Sequence, residues 1–495
     1  MSIKLSELLH FLKEIPLSAE LSITGLSLDS RLVKAGDIFL ACKGAQLDGR
    51  LYIVDAIQRG ACAVLEEADN DGLPIYFHGT VPIIPIHKLR CKLSELAARF
   101  YQYPAKSLNI VGITGTNGKT SSTYFLAAAL QQLSIPCGVI GTLGSGVYGD
   151  IQPGSLTTPD AITLQKTFAE FLQQGIKHVA MEVSSHSLEQ GRVEAVAFTV
   201  GIFTNLTQDH LDYHGTMQAY GAAKKRLFEN LLPQYAVINN DDPFGRELIA
   251  ALPNKKNIIA YGLQRSALVN SVIAEHIQLK EGIRAHVVTP WGEGELNTPL
   301  MGQFNLSNVL AVLAVLLGVL KVSLPAALAC LKHLTPVPGR METLGGKEQP
   351  LIVVDYSHTP DSLEKALQAL RPHCQGQLYC VFGCGGDRDR GKRPLMAAVA
   401  ERLADQVIVT DDNPRTEDPR QIVADIMRGF VYPTKIIVQH DRSKAIKNSI
   451  QYAKRGDCVL IAGKGAETYQ QVGNIKIPFS DVEQVREMLN ARLAQ

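Results

Sequence analysis

The sequence predicts an α/β protein built from more than one domain, and three observations carry this. A strongly apolar run at 108–113 leads straight into Gly115-Thr116-Asn117-Gly118-Lys119-Thr120, and a helical pattern follows at 121–133. Strand, glycine loop and helix form the βα unit of an α/β domain. Short apolar runs of strand character also recur between helical stretches along the whole chain. Finally, Pro336-Val337-Pro338-Gly339 interrupts the pattern, after which the alternation starts again.

Taken in order, the first segment (1–89) has short β-like runs at 38–40 and 61–65 among helical patterns. The second (90–337) opens with a helix at 89–101 and continues through the strand and loop above. It adds buried strands at 178–183, 198–203 and 236–239. The third (338–495) has strands at 351–354, 378–382, 405–410 and 458–462 between helical stretches. At 495 residues and 46% hydrophobic, the chain is too long for one compact core. The most apolar run, 308–320, is interrupted by Gly318 and is shorter than the roughly 20 residues a spanning helix needs, so it reads as a buried helix.

Composition excludes some functions. The net charge of +1 argues against a nucleic-acid partner, and no apolar signal core opens the chain. The expectation is a cytoplasmic monomer without stable membrane insertion. The nine cysteines are scattered with no Cys-x-x-Cys pair, which fits reduced thiols better than structural zinc.

The glycine loop carries the clearest chemistry. Gly115 and Gly118 allow a tight turn, Lys119 adds a fixed charge, the Thr120 hydroxyl suits Mg²⁺, and Ser121 continues into a helix whose N-terminus favours phosphate. Ile113 stands where the longer form of this motif has a glycine, so the loop is a shortened variant. Glu182 follows a strand, at the end where parallel sheets place ligands, and suits a metal ion or a solvated loop equally. His210 and His214 have a zinc-like spacing. However, Leu211 replaces the expected glutamate and Gly215 stops the helix, leaving His210 as a single candidate ligand. Lys224 alone reads as a surface helix lysine. Near the third segment's strands, Phe382-Gly383-Cys384-Gly385-Gly386-Asp387-Arg388 fails the dinucleotide pattern at Arg388 and reads as an anion-binding loop. Asp412-Asn413-Pro414-Arg415 is restrained by its proline, and its arginine offers a planar fork for a carboxylate.

Together these motifs resemble the Mur ligases of peptidoglycan synthesis. The resemblance spans nearly the whole chain, from Ser27-Leu28-Asp29-Ser30-Arg31 and the glycine loop through 181–186, 204–214, 301–305, 339–342, 354–360 and 382–393 to 412–415. It implies an N-terminal UDP-binding domain, a central P-loop-type ATPase domain and a C-terminal Rossmann-like domain. It also implies an ATP-dependent amide ligase that extends a UDP-N-acetylmuramoyl dipeptide with an amino acid, with Mg²⁺ as cofactor. Lys224 then matches a lysine that becomes a carbamate and a Mg²⁺ ligand beside Thr120, Glu182 and His210. Leu28, Ser30 and Gln46 match uridine-side positions; Thr157, Thr158, Ser184, Gln190 and Arg192 match muramoyl-peptide positions. Asn305, Arg340 and Asp355 match nucleotide contacts. Arg388, Asp412, Asn413, Pro414, Arg415, Gly463 and Glu467 match diaminopimelate contacts. One departure is Ala466, where the family usually has histidine. A lysine-adding ligase, a folylpolyglutamate synthetase on the same scaffold and a P-loop switch protein are the competing readings.

Overall fold

A computed structural model describes residues 2–10, 20–44, 47–253, 255–266, 268, 270–280 and 282–493. Gln46, expected on the uridine side, lies outside the described residues. The chain forms two compact units. One comprises Met1–Gly112, Pro136–Thr199 and Arg226–Gln234; the other comprises Ile113–Ile135, Val200–Lys225 and Tyr235–Gln495.

The first unit contains a five-stranded sheet in the order Gly25–Ser27, Asp37–Ala41, Ala63–Ala68, Val81–His87, Tyr76–His78. The first four strands are parallel and the last is antiparallel. Asp37–Ala41 is buried at every position, as a parallel strand covered on both faces must be. Helix Leu89–Phe100 packs on one face of this sheet through Leu89, Leu96, Ala97 and Phe100. The same unit pairs strand Cys137–Gly141 in parallel with His178–Glu182.

In the second unit, Val200–Phe203, Tyr235–Asn239, Ile258–Gly262 and Ser271–Gln278 run parallel in that order. Two antiparallel strands, Ile283–Thr289 and Gly292–Thr298, complete the run. The expected apolar helix is present as Gln303–Ala314, and a π-helical turn, Val315–Val319, extends it. Every residue from Leu306 to Leu317, except Ser307, is buried, so its apolar surface is used inside the protein. A second, six-stranded sheet has the order Glu342–Gly345, Leu351–Asp355, Cys458–Ala462, Leu378–Phe382, Gln406–Val409, Ile437–Val438. All neighbours after the first pair are parallel. Cores lie on both faces, with Val353, Cys380 and Leu460 facing one side and Ile352, Val381 and Ile461 the other. This is the alternation expected of a doubly covered α/β sheet.

The α/β expectation holds, and every strand predicted in the third segment is present within a residue or two. The hairpin Tyr469–Val472 with Ile475–Pro478 was not anticipated; Val472, Ile475 and Ile477 are exposed on it, so it lacks a clear buried face.

Beneath the second sheet's carboxyl edge, Arg442 is fully buried against Asp481, at 2.7 and 2.8 Å, and donates to the Ala462 carbonyl. Arg442→Met is expected to destabilise the protein by about 3–5 kcal/mol, because it leaves a buried carboxylate unpaired. Chemical denaturation checks this, and an unchanged midpoint would remove the pair from the account of stability.

Candidate functional site

In a parallel sheet the carboxyl ends of the strands are where ligands bind, because connecting loops there leave a crevice lined by backbone groups. In the second unit, the candidate residues lie on such loops or on the helices that follow them.

The glycine loop follows strand Asn109–Thr114 and opens helix Lys119–Gln132. Gly115 has φ +143° and Gly118 φ +87°, and a Cβ on Gly115 would stand 1.9 Å from the Thr204 hydroxyl. The loop is docked on the segment after strand Val200–Phe203. Thr116 N–H donates to the Asn205 carbonyl (2.8 Å), Asn117 N–H donates to Asn205 Oδ1 (3.0 Å), and the Thr204 hydroxyl donates to the Asn117 carbonyl (2.6 Å). Lys119 Nζ donates to the carbonyls of Gly115 and Thr116, both at 2.8 Å, which curls its charge over the loop. Thr120 accepts from Arg340 at 3.1 Å, and the Arg340 guanidinium lies 4.0 Å over the Tyr356 ring. Ser121 is buried in the first turn of the helix. Asn305 is buried and donates to the Met301 carbonyl (2.9 Å). Asp355 accepts from Met341 N–H (2.7 Å) and from the Ser357 hydroxyl; burial raises its pKa.

Lys224 is not the surface lysine that its segment alone suggested. It is 1% exposed on helix Met217–Glu229, donates to the Gly115 carbonyl at 2.9 Å, and lies 4.2 Å over Tyr220. Burial, followed by the charge of Lys119, holds its pKa well below the usual lysine range. That shift moves Lys224 toward the neutral amine. His210 takes a left-handed backbone, φ +56°, at the start of the one-turn helix Leu211–His214; Gly215 ends it, as expected. His214 lies against Tyr220, with ring centroids 5.2 Å apart.

Three further residues converge here that sequence reasoning did not assign. Asp209 is buried within 3.4 Å of His210 Nε2, 3.5 Å of His358 Nε2 and 3.8 Å of Lys392 Nζ. Burial alone would raise its pKa. The His358 hydrogen bond and the charges of His358, His210 and Lys392 overcome that and hold it well below the usual carboxylate value. Asp209 and His358 both stand inside motifs noted above, and Lys392 lies within the 382–393 block. Their meeting brings Asp209 to residues 149 and 183 positions further along the chain, so no local pattern signals it. Two more bonds join the same regions: Asn117 Nδ2 to Asp361 Oδ2 (3.0 Å) and Gln208 Nε2 to Asp389 Oδ2 (3.1 Å).

The second group of candidates sits at the carboxyl edge of the six-stranded sheet. Asp412 and Asn413 are buried, and Pro414 lies next to the Gly386 backbone. Arg415 has φ +53° and donates to the Gly386 carbonyl at 2.7 Å, so its fork is partly held by the neighbouring loop. Arg388 donates to the Asp387 carbonyl (2.8 Å) and is exposed. Gly463 (φ +121°) follows strand Cys458–Ala462, and a Cβ there would stand 2.5 Å from Asp412 Oδ2. Glu467 receives hydrogen bonds from Asn413 and from Lys464, the latter not singled out from sequence. Ala466 is half-buried, with its backbone N–H beside Gly339.

The remaining candidates lie in the first unit. A cleft of about 660 Å³ is lined by Leu28, Ser30, Arg90, Leu156, Gln190 and Arg192, among others. Arg192 is tied to the Thr158 carbonyl (2.8 Å) and to Gln190 Oε1 (3.0 Å). Ser184 caps helix Ser185–Glu189 and donates its backbone N–H to Thr158 (3.0 Å). Thr157 meets Thr142 at 3.1 Å, and Thr142 in turn holds buried Glu182 through its N–H (2.8 Å) and hydroxyl (3.1 Å).

The chain is similar to known proteins in sequence and fold. The Mur ligase middle domain matches residues 113–316, the glutamate ligase domain of Mur ligases matches 339–465, and the Mur ligase family catalytic domain matches 22–101. The chain is 52% identical to a UDP-N-acetylmuramoyl-L-alanyl-D-glutamate--2,6-diaminopimelate ligase of Ectopseudomonas mendocina, over 95% of each chain. It is 50% identical to the protein of that name from Coxiella burnetii, over 98% of this chain and 99% of the other. A solved structure of a ligase with the same name superposes with a TM-score of 0.70 at 35% identity, covering both chains fully.

Gly118→Ala is expected to weaken ATP binding by at least roughly tenfold, because the substitution strains a left-handed position. The added Cβ would also approach Asn308 Oδ1 to 2.4 Å. Calorimetric titration of ATP against the folded variant tests this; unaltered affinity would show that the loop does not need its glycine.

Proposed function

The chain belongs to the Mur ligase family, and on that premise we propose that it joins meso-2,6-diaminopimelate to UDP-N-acetylmuramoyl-L-alanyl-D-glutamate at the expense of ATP. Its role is then in peptidoglycan synthesis, and so in cell shape and division. The D-glutamate carboxylate attacks the γ-phosphorus of ATP, giving an acyl phosphate and ADP. The amine of diaminopimelate attacks that carbonyl, and phosphate leaves. Such transfers are limited by charge crowding and alignment, which fixed cations and positioned loops relieve.

The observation that carries this reading is the meeting of two sets of loops. Arg340, His358, Asp361, Asp389 and Lys392 follow the Pro/Gly boundary; Thr120, Asp209, Asn117 and Gln208 precede it. They touch one another pairwise. An amino acid held at the second sheet is thereby served by the same unit that holds the nucleotide loop. A switch protein that only hydrolyses ATP has no need of the second set.

Lys119 is assigned to the phosphates, Thr116, Asn117 and Ser121 to the surrounding loop, and Asn305, Arg340 and Asp355 to the nucleotide. For Mg²⁺ the donor set gains the oxygen ligands that this ion prefers if Lys224 is a carbamate. As an amine it offers one nitrogen, whereas a carbamate adds oxygens to the Thr120 hydroxyl and the His210 imidazole; Glu182 is assigned to the metal from the resemblance alone. The low pKa of Lys224 supports this conversion, since only the neutral amine attacks CO₂. When bound, Mg²⁺ neutralises phosphate charge. Leu28, Ser30 and Gln46 are assigned to the uridine side; Thr157, Thr158, Ser184, Gln190 and Arg192 to the muramoyl peptide; Arg388, Asp412 to Arg415, Gly463 and Glu467 to diaminopimelate. These roles correspond to functional segments 1–89, 90–337 and 338–495. We place the enzyme in the cytoplasm as a monomer; its nucleotide-linked substrates accord with that, and no described helix is long and apolar enough to cross a membrane.

A ligation assay with mass detection tests the reading. Product and phosphate are expected only when the UDP-dipeptide, ATP and diaminopimelate are all present, and efficient addition of lysine instead would overturn the role given to Arg415. Lys224→Ala is expected to lower turnover at least about a hundredfold, since one preorganised catalytic group of this kind contributes on that scale. ¹³C-bicarbonate labelling is expected to show a carbamate signal in the wild type that the variant lacks; wild-type turnover in Lys224→Ala would refute the carbamate.

A further inference from the structure

Glu467 is the acidic group available to the distal ammonium of the amino acid, yet it is not free to turn toward it. Its Oε2 accepts from two donors at once, Lys464 Nζ (2.8 Å) and Asn413 Nδ2 (2.8 Å). Lys464 is fully buried, and its ammonium also donates to Asn413 Oδ1 at 2.9 Å. Asn413 Oδ1 takes a second bond from Gln471 N–H, again at 2.9 Å. The three side chains therefore close a ring: lysine to amide oxygen, amide nitrogen to carboxylate, carboxylate back to lysine.

This ring has two consequences. Asn413 uses its amide oxygen twice and one amide hydrogen within the protein, so its side chain braces the loop and keeps only its second amide hydrogen for a ligand. Glu467, whose side chain is 23% exposed, engages only Oε2 in the ring, which leaves Oε1 to face a ligand. A buried lysine is costly unless paired, and the ring supplies that pairing. The Tyr469 ring, 5.6 Å from Nζ on the adjoining hairpin, closes the remaining side.

We propose that Lys464 is a positioning residue which, with Asn413, pins Oε2 of Glu467 so that Oε1 alone is presented to the ammonium of the incoming amino acid. Because the ring consumes one oxygen, the carboxylate cannot swing into the alternative rotamers in which it would meet a shorter or longer side chain. The clamp thus fixes the distance from the reacting amine at which a second ammonium is accepted. The proposal rests on the functional reading above for the identity of the ligand.

The test compares steady-state kinetics of the full-length wild type with Lys464→Met, Lys464→Arg, Glu467→Gln and the Lys464→Met/Glu467→Gln double variant. Activity of the wild type with diaminopimelate reports on the functional reading, whereas the clamp is read from ratios between variants with whichever amino acid the wild type uses. Lys464→Met is expected to raise KM for the amino acid on the order of tenfold or more, as loss of one partner of a buried charged pair does. KM for ATP and for the UDP-dipeptide stay within about twofold of the wild type, and Lys464→Arg recovers part of the loss, as a retained charge would. In the Glu467→Gln background, Lys464→Met adds little, because the lysine acts through that carboxylate. Should Lys464→Met fail to fold, Lys464→Gln removes the same charge while keeping a polar group and carries the same expectation. A loss in kcat with KM unchanged, equal losses for all three substrates, or full additivity with Glu467→Gln would each overturn the proposal.

Discussion

The docking of the Gly115–Thr120 loop on the Thr204–Thr207 segment is the contact on which the rest of the site depends. A glycine loop left to itself has many conformations and a row of unsatisfied backbone groups. Here Asn205 and Thr204 hold the backbone of Thr116 and Asn117. The Thr116 hydroxyl donates to the Thr207 carbonyl at 3.1 Å and accepts from Thr207 N–H at 3.0 Å. With the loop held, the Gly115 carbonyl can accept from Lys224 Nζ, and Thr120 can meet Arg340.

Buried charge is the second theme, and its cost explains where it occurs. Asp209, Lys392, Lys464 and Arg442 are all buried, and each has partners arranged around it. Removing such a group from water is unfavourable unless opposite charge or several hydrogen bonds replace the solvent. Arg442 meets a single buried carboxylate and serves stability. Asp209 instead meets two imidazoles and an ammonium, a surplus of potential donors about one acid. Such a surplus suits a site that receives anions, which is what phosphates and carboxylates are.

Parallel strands position these groups economically. Every strand of the six-stranded sheet from Leu351–Asp355 to Gln406–Val409 ends on the same edge, so loops far apart in sequence meet there. Tyr356, Gly386, Asn413 and Lys464 are neighbours for that reason. Left-handed backbone at Arg415 and Asp387 lets the two arginine-bearing loops turn toward each other.

Much of this was legible in the sequence. The strand–glycine–helix unit, the buried apolar helix, the stop at Gly215 and the α/β alternation after Pro336–Gly339 all follow from local patterning, because apolar periodicity and backbone-restricting residues act over a few positions. The ordered motifs likewise indicated the family. Three things were decided only by the tertiary structure. Lys224 looks like a solvent-facing helix residue until Tyr220 and the glycine loop enclose it. Asp209 has no meaning as a cation-surrounded acid until His358 and Lys392 arrive from beyond the boundary. Lys464 and Asn413 seem to be separate loop residues until the sheet's carboxyl edge brings them to the same carboxylate. The physical reason is common to all three: burial and charge pairing depend on contacts between distant segments, and a linear pattern records only what each residue does to its near neighbours.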